Sequence, residues 1–269
     1  DGHKISEQSI HMTFGTALHE VLQHYLDVMY KESGAEADRI DIEELFEETL
    51  RKCYAEDYKK NKGKHFSSPE ELREFYEDGK AILNNFKKKK NAHFSKKGWY
   101  LVGCELPIVM SPNLRLNNVK YMGYLDIVMY HEPTNTFKII DIKTSTKGWG
   151  SHAKKDESKQ FQLVLYKYFF SKQYNVPIEN IDIEFFIVRR KVYLGGEYPQ
   201  KRIQTFVPSS GKVKVNKATT NLNEFINKAF NLDGSYKDTI FNAKPSKWNC
   251  NFCPYKQKPE LCSAVGKNF

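Results

Sequence analysis

The chain has 269 residues and carries 42 lysines and arginines against 33 aspartates and glutamates, a formal charge of +9. That length is enough to bury a full core, in one large domain or two small ones. No apolar run approaches a membrane span and the start has no signal-peptide pattern, so the sequence reads as a soluble, cytoplasmic protein whose charge suits a polyanionic partner. The bias toward Lys, Asn, Ile and Tyr fits an A·T-rich coding genome, bacterial or phage.

Residues 13–33 predict an amphipathic helix, with Thr13 as cap, Phe14, Leu18, Val21, Leu22, Tyr25 and Met29 at helical spacing, and Gly34 as stop signal. Two further helices are expected at 41–60 and 69–94, the second opened by Ser67-Ser68-Pro69-Glu70. Residues 99–110 turn to strand composition, and strands at 121–131 and 137–143 flank Pro133-Thr134-Asn135, which is turn chemistry. Next come an apolar helix at 156–174, a strand at 181–193, a strand at 201–207 and a helix at about 219–231. This order predicts an α/β fold with a central mixed sheet flanked by helices. It divides into an N-terminal helical region (1–98), an α/β core (99–245) and a cysteine-rich tail (246–269) packed on the same domain.

The 121–143 segment carries the chemistry. Along an extended strand Asp141 and Lys143 share a face while Ile140 and Ile142 take the other. A charged pair closing an apolar strand is costly to bury unless something neutralises it. A divalent metal held by Asp126 and Asp141 would do so, with the lysine beside it to meet a negative substrate. Register decides whether the two carboxylates meet. A five-residue loop over 132–136 would put Asp126 opposite Ile142, on the wrong face. A four- or six-residue loop, or a bulge, would bring it to Asp141.

The motifs Gly15-Thr16-Ala17-Leu18-His19, Gly123-Tyr124-Leu125-Asp126, Asp141-Ile142-Lys143 and Gln162-Leu163-Val164-Leu165-Tyr166 stand in one order over roughly residues 14–170. That order resembles the PD-(D/E)xK nuclease superfamily, and within it the RecB-like exonuclease branch, including its AddB-type and CRISPR-associated members. Leu125 stands where the superfamily name has proline, as is common in that branch. The resemblance implies a restriction-endonuclease-like core. It implies Mg²⁺ or Mn²⁺ held by Asp126, Asp141, the Ile142 carbonyl and His19, with Glu105 as a further direct or water-bridged ligand. It makes Lys143 the residue facing the scissile phosphate, and places Gln162 and Tyr166, one helical turn apart, near the active centre.

Other candidates are less specific. Trp149, in the loop 144–157, either stacks on an unpaired base or folds its own loop against the core. The runs Lys87–Lys90 and Lys96-Lys97 read as a solvated helix end rather than a nucleic-acid track. Arg189, Arg190 and Lys191 are better placed for backbone phosphates. Cys53 and Cys104 read as ordinary buried thiols.

The tail holds Cys250-Asn251-Phe252-Cys253 and Cys262, a C-x₂-C-x₈-C spacing that argues for metal rather than disulfide in a reducing compartment. The same resemblance implies a [4Fe–4S] cluster, its fourth ligand a cysteine ahead of the Gly15–His19 helix. No cysteine precedes His19, and the chain opens at Asp1 rather than methionine, so that ligand belongs to a preceding segment or the site differs. A zinc site completed by His3 or His11 is chemically acceptable, and three free thiols are the alternative.

The expected function is a metal-dependent DNA nuclease, an exonuclease on single-stranded DNA or DNA ends, in repair, recombination or phage DNA metabolism, alone or beside a helicase or recombination protein. No G-x-x-x-x-G-K-[ST] is present to supply an ATPase motor. The alternatives are a structure-specific endonuclease on the same fold, a noncatalytic nucleic-acid-binding subunit, or a ribonuclease.

Overall fold

A computed structural model describes residues 8–112, 118–193 and 200–238, together with 195, 197, 245, 246, 250, 253, 255, 258 and 262. Helix α1 (Ile10–Lys31) buries the predicted stripe from Phe14 to Met29. It starts three residues ahead of Thr13. That hydroxyl is buried within the helix and donates to Asp57 Oδ2 at 2.7 Å instead of capping. Gly34 does not end the helical region. Ser33 accepts a hydrogen bond from the Glu36 backbone N–H and so caps a short second helix, α2 (Gly34–Arg39). Helices α3 (Ile42–Lys60) and α4 (Pro69–His93) follow; Asp41 caps the first, and the second opens as read from sequence, with Ser68 as cap and Pro69 in the first turn.

Five strands form one mixed sheet in chain order: β1 (Trp99–Met110), β2 (Tyr121–His131), β3 (Thr136–Ser145), β4 (Ile181–Arg189) and β5 (Ile203–Phe206). β3 and β4 run parallel, and their crossover carries α5 (Ser151–Lys155) and α6 (Glu157–Gln173); the other neighbours are antiparallel. The short α5 lies inside the segment read as loop. Helix α7 (Lys212–Ala229) begins about seven residues earlier than its composition indicated. Its first turns are lysine- and valine-rich and look like a strand. Val215 and Ala218 are buried against the α6 layer, and Lys214 and Lys217 each reach Glu157 at 2.6 Å, so tertiary contacts decide the conformation there.

Apolar side chains cover both faces of the sheet. On one, Phe14, Leu18, Phe46, Phe75 and Phe86 from α1, α3 and α4 pack on Ile140, Ile142, Phe186 and Val188; on the other, Leu163, Val164, Phe169 and Phe170 of α6 pack on Ile139, Phe185 and Ile187. This is the helix-flanked mixed sheet expected from the sequence. Each such buried side chain contributes about 1.5–3 kcal/mol. No helix among the described residues is long and apolar enough to cross a membrane.

The α3–α4 contact supplies a first test. A Cβ at Gly79 would overlap the Phe46 ring, which is itself fully buried. Gly79→Ala should therefore destabilise the protein by about 1–3 kcal/mol from overpacking, despite an intrinsic helix gain of nearly 1 kcal/mol. Urea denaturation checks the sign; a stabilised variant would show that α3 and α4 can separate freely.

Candidate active site between two diverging strands

The β2–β3 hairpin settles the register. Its loop has four residues, a single 3₁₀ turn (Glu132–Thr134) followed by Asn135 in the left-handed region, and His131 pairs with Thr136. The same register carries Ile127 opposite Ile140 and then ends, with Asp126 next in line to face Asp141. Beyond that pair β2 turns away with β1 as a two-stranded ribbon. A link across the gap remains: Asp126 Oδ2 accepts from the Ile142 backbone N–H at 2.6 Å, standing in for a ladder carbonyl.

The ribbon twists over at this point. Leu125 packs in the α6 layer and Ile127 in the α1 layer, although two residues apart on a regular strand they would share a face. Opposite the twist, Glu105 has φ of 49° between the pairs Cys104–Ile127 and Leu106–Leu125. A non-glycine residue held there costs about 1–3 kcal/mol, the kind of local strain that a surrounding structure must over-determine.

Two helices close on the gap. From α1, His19 Nδ1 stands 3.7 Å from Asp126 Oδ2. One turn further on, the buried Gln23 amide donates to Glu105 Oε1 at 2.7 Å and to the Asp126 carbonyl at 3.0 Å. Gly15 lets this helix cross the end of β3, since a Cβ there would lie 3.3 Å from Thr144 Oγ1. From α6, the Gln162 amide donates to Tyr166 Oη at 3.1 Å, and the Lys143 ammonium donates to Gln162 Oε1 at 3.4 Å. The Tyr166 ring in turn lies on Gly123, where a Cβ would come within 2.7 Å. The glycine of the Gly123–Asp126 motif and the tyrosine of the Gln162–Tyr166 motif are thus two sides of one contact.

The structure therefore brings His19, Glu105, Asp126, Asp141, Ile142, Lys143, Gln162 and Tyr166 into one neighbourhood. Gln23 joins them without having been read from the sequence. Its signal was its position, four residues after His19 and interrupting an apolar stripe.

Burial dominates the electrostatics. Asp126 and Asp141 are both pushed up to about 6, chiefly by desolvation, with Glu105 adding to Asp126 and Asp126 adding to Asp141, while Lys143 opposes the rise in both. Desolvation pushes His19 down to about 4, leaving its imidazole neutral at physiological pH. Lys143 Nζ lies 2.7 Å from Asp141 Oδ2, its side chain 32 % exposed while that of Asp141 is 4 % exposed. Asp141 Oδ2 is buried and, that ion pair apart, has no hydrogen-bond partner among the described residues.

The family model of the PD-(D/E)XK nuclease superfamily matches residues 2–258. The chain belongs to this superfamily. No curated protein matches it. PD-(D/E)XK proteins are generally phosphodiester hydrolases that use Mg²⁺ or Mn²⁺, so the donor set must be tested against a divalent cation. Two buried carboxylates held against their ionised forms, one met only by the Lys143 ammonium, beside a neutral imidazole, are what such a cation would satisfy. Among the described residues no three His, Cys, Asp or Glu side chains already stand gathered as a metal-holding group, here or elsewhere. Within this centre, the lysine meets Asp141.

Other sequence expectations for this PD-(D/E)XK protein change. Trp149 folds its loop inward: its ring lies 4.8 Å from that of Phe185, and its backbone exchanges two hydrogen bonds with the Gln204 amide, at 2.9 and 3.0 Å. Arg190 and Lys191 are spent on α4, pairing with Glu74 and Asp78 at 2.7–2.9 Å, so they are not free for phosphates. Cys250, Cys253 and Cys262 are half-buried free thiols, and His3 lies outside the described residues. Neither the iron–sulfur nor the zinc expectation finds support among the described residues.

Proposed function

We propose that this PD-(D/E)XK protein is a divalent-metal-dependent deoxyribonuclease, an exonuclease that acts on single-stranded DNA or DNA ends in the cytoplasm, in repair, recombination or phage DNA metabolism. The observation that carries the nuclease reading is the pair of buried, raised carboxylates in the β2–β3 gap, with the Lys143 ammonium between Asp141 and Gln162. The exonuclease reading rests on the four motifs in RecB-like order, as does the proposal of a helicase or recombination partner.

In this reading Asp126, Asp141, the Ile142 carbonyl and His19 hold Mg²⁺ or Mn²⁺, with Glu105 beside them. Once bound, the cation lowers the pKa of a water and polarises the phosphoryl oxygen. The chain's own residues do the rest. Lys143 turns from Asp141 toward the scissile phosphate and stabilises the charge that develops there. Gln162, fixed by Tyr166, accepts from the lysine ammonium and orients it. Gln23 holds Glu105 and the Asp126 backbone, making it a positioning residue. Gln23→Leu should weaken cation affinity about 10–100-fold, as loss of an outer-sphere support does. The Mn²⁺ concentration for half-maximal cleavage reads this; an unchanged value would limit Gln23 to packing.

Matched linear and circular single-stranded DNA test the exonuclease reading. Degradation of the linear form alone is expected. Cleavage of the circle would assign a structure-specific or general endonuclease on the same centre.

A further inference from the structure

We infer that the face of α4 turned toward β5 is a second nucleic-acid contact, a basic trough that holds phosphates of a bound strand away from the cleavage centre. The inference takes its polyanion from the nuclease reading, but it stands on separate residues. Two adjoining cavities, of about 840 and 330 Å³, share His93, Lys201 and Ile203. Their cationic lining is Lys88, Lys89, Lys201, Arg202 and Arg189, with the His93 imidazole held toward its neutral form by burial, and among the described residues no carboxylate lines either one. The α4 contribution is a single helical stripe, with Ala81, Asn85, Lys88, Ala92 and their neighbours recurring at three- and four-residue spacing. Small residues leave room along it, and amides such as Asn85 and Gln200 can meet phosphate or sugar oxygens.

What distinguishes this trough is that its three lysines are unanswered, whereas Arg202 behind them donates to the Arg189 and Arg190 carbonyls at 3.1 and 2.9 Å. Elsewhere on α4 the lysines serve the fold: Lys87 reaches the Ile40 carbonyl at 3.0 Å and Lys90 pairs with Asp38 at 2.6 Å. Arg190 and Lys191, at the end of β4, are matched by Glu74 and Asp78. Lys88, Lys89 and Lys201 are exposed and, among the described residues, have no carboxylate partner. The lysine run that reads as one solvated helix end is thus divided, with two members holding α4 to its neighbours and two facing the trough. Acidic side chains gather instead on the adjoining flank of α4, around Asp38, Asp41, Glu43 and Glu44, with Asn84 on the border between the two. That flank would repel the polyanion the trough attracts.

Position links trough and site. Lys143 pairs with Ile187 and Ser145 with Arg189, so the trough opens one strand over and two residues beyond the lysine, at the same end of the sheet. A strand leaving the gap in that direction meets Arg189 and then Lys201. Contacts there add affinity and processive hold while carrying no chemistry.

The test is binding of a labelled single-stranded DNA, long enough to span both regions, to the full chain in EDTA, read by fluorescence anisotropy across a salt series. The variant is Lys88→Glu/Lys89→Glu/Lys201→Glu. The control is Lys52→Glu/Lys59→Glu/Lys64→Glu, an equal change in net charge at exposed lysines away from the trough. We expect the trough variant to lose at least ~10-fold in affinity and its salt slope to fall by about 2, three phosphate contacts at roughly 0.7 each, with the control near wild type. Unchanged affinity and slope in the trough variant would overturn the inference, as would an equal loss in the control. Failure of the nuclease reading looks different: wild-type protein would cleave nothing with Mn²⁺, whatever the variants do in EDTA.

Discussion

Asp141→Asn is expected to remove nuclease activity by at least ~10³-fold while making the cation-free chain more stable at pH 8. The activity loss follows from removing a charge that a cation and the developing phosphate charge both require. The stability gain follows from burial. Asp141 and Asp126 have folded-state values raised to about 6, so the stability linked to each is fully present below the unfolded carboxylate value near 4 and is lost as pH rises through 6. In EDTA, wild-type stability should therefore fall between about pH 4 and pH 6–7. Asparagine carries no charge at any of these values, so the variant should decline less and exceed wild type at pH 8 by about 1–3 kcal/mol, a few degrees in Tm. A cation that binds only the folded state reverses the deficit. The Mn²⁺-induced rise in Tm should be larger at pH 8 than at pH 5, and absent in Asp141→Asn. A variant that is less stable than wild type at pH 8, or that keeps the Mn²⁺ shift, would mean that Asp141 is a structural acid.

Lys143→Ala should separate chemistry from cation binding. The ammonium lies 2.7 Å from Asp141 Oδ2 and 3.4 Å from Gln162 Oε1, and it is the more exposed member of the ion pair. Its removal should lower kcat about 10²–10³-fold, the scale of losing one preorganised donor to a developing anion. The Mn²⁺-induced thermal shift should survive, and grow, because Asp141 has lost the cation that partly neutralised it. Lys143→Arg should not restore the rate, since a planar fork does not reproduce a compact ammonium between those two oxygens. Gln162→Leu should fall between wild type and Lys143→Ala, through misplacement of the lysine. Loss of the Mn²⁺ shift in Lys143→Ala would instead place the lysine in the binding of the cation.

The sequence revealed this centre unevenly, for physical reasons. Asp141 and Lys143 were legible because strand alternation puts them on one face, and Asp126 through the Gly123–Asp126 motif; the register that unites them came only with the four-residue turn at 132–135. The Gln162–Tyr166 pair was legible as one face of a helix. Gln23 was not, because a lone glutamine in an apolar stripe shows no partner until the strand carrying Glu105, 82 residues away, is folded against it. Arg190 and Lys191 looked free for phosphates because Asp78, more than a hundred residues earlier, is invisible as a partner in a linear reading. Trp149 was undecided from sequence for the same reason, since Gln204 and Phe185 reach it through the crossover. The strand face at 126 was equally hidden. Nothing local announces that Glu105 adopts a positive φ and that β2 twists over beside it.

Cleavage of a labelled linear single-stranded DNA by wild type and Asp141→Asn, each in Mn²⁺ and in EDTA, tests the centre most directly. Cleavage by wild type in Mn²⁺ alone, with the variant inactive yet folded and still binding the DNA, is the result the β2–β3 gap predicts. Cleavage that persists in Asp141→Asn or in EDTA would place the chemistry elsewhere, and a folded, Mn²⁺-replete wild type that cleaves nothing would contradict the nuclease assignment.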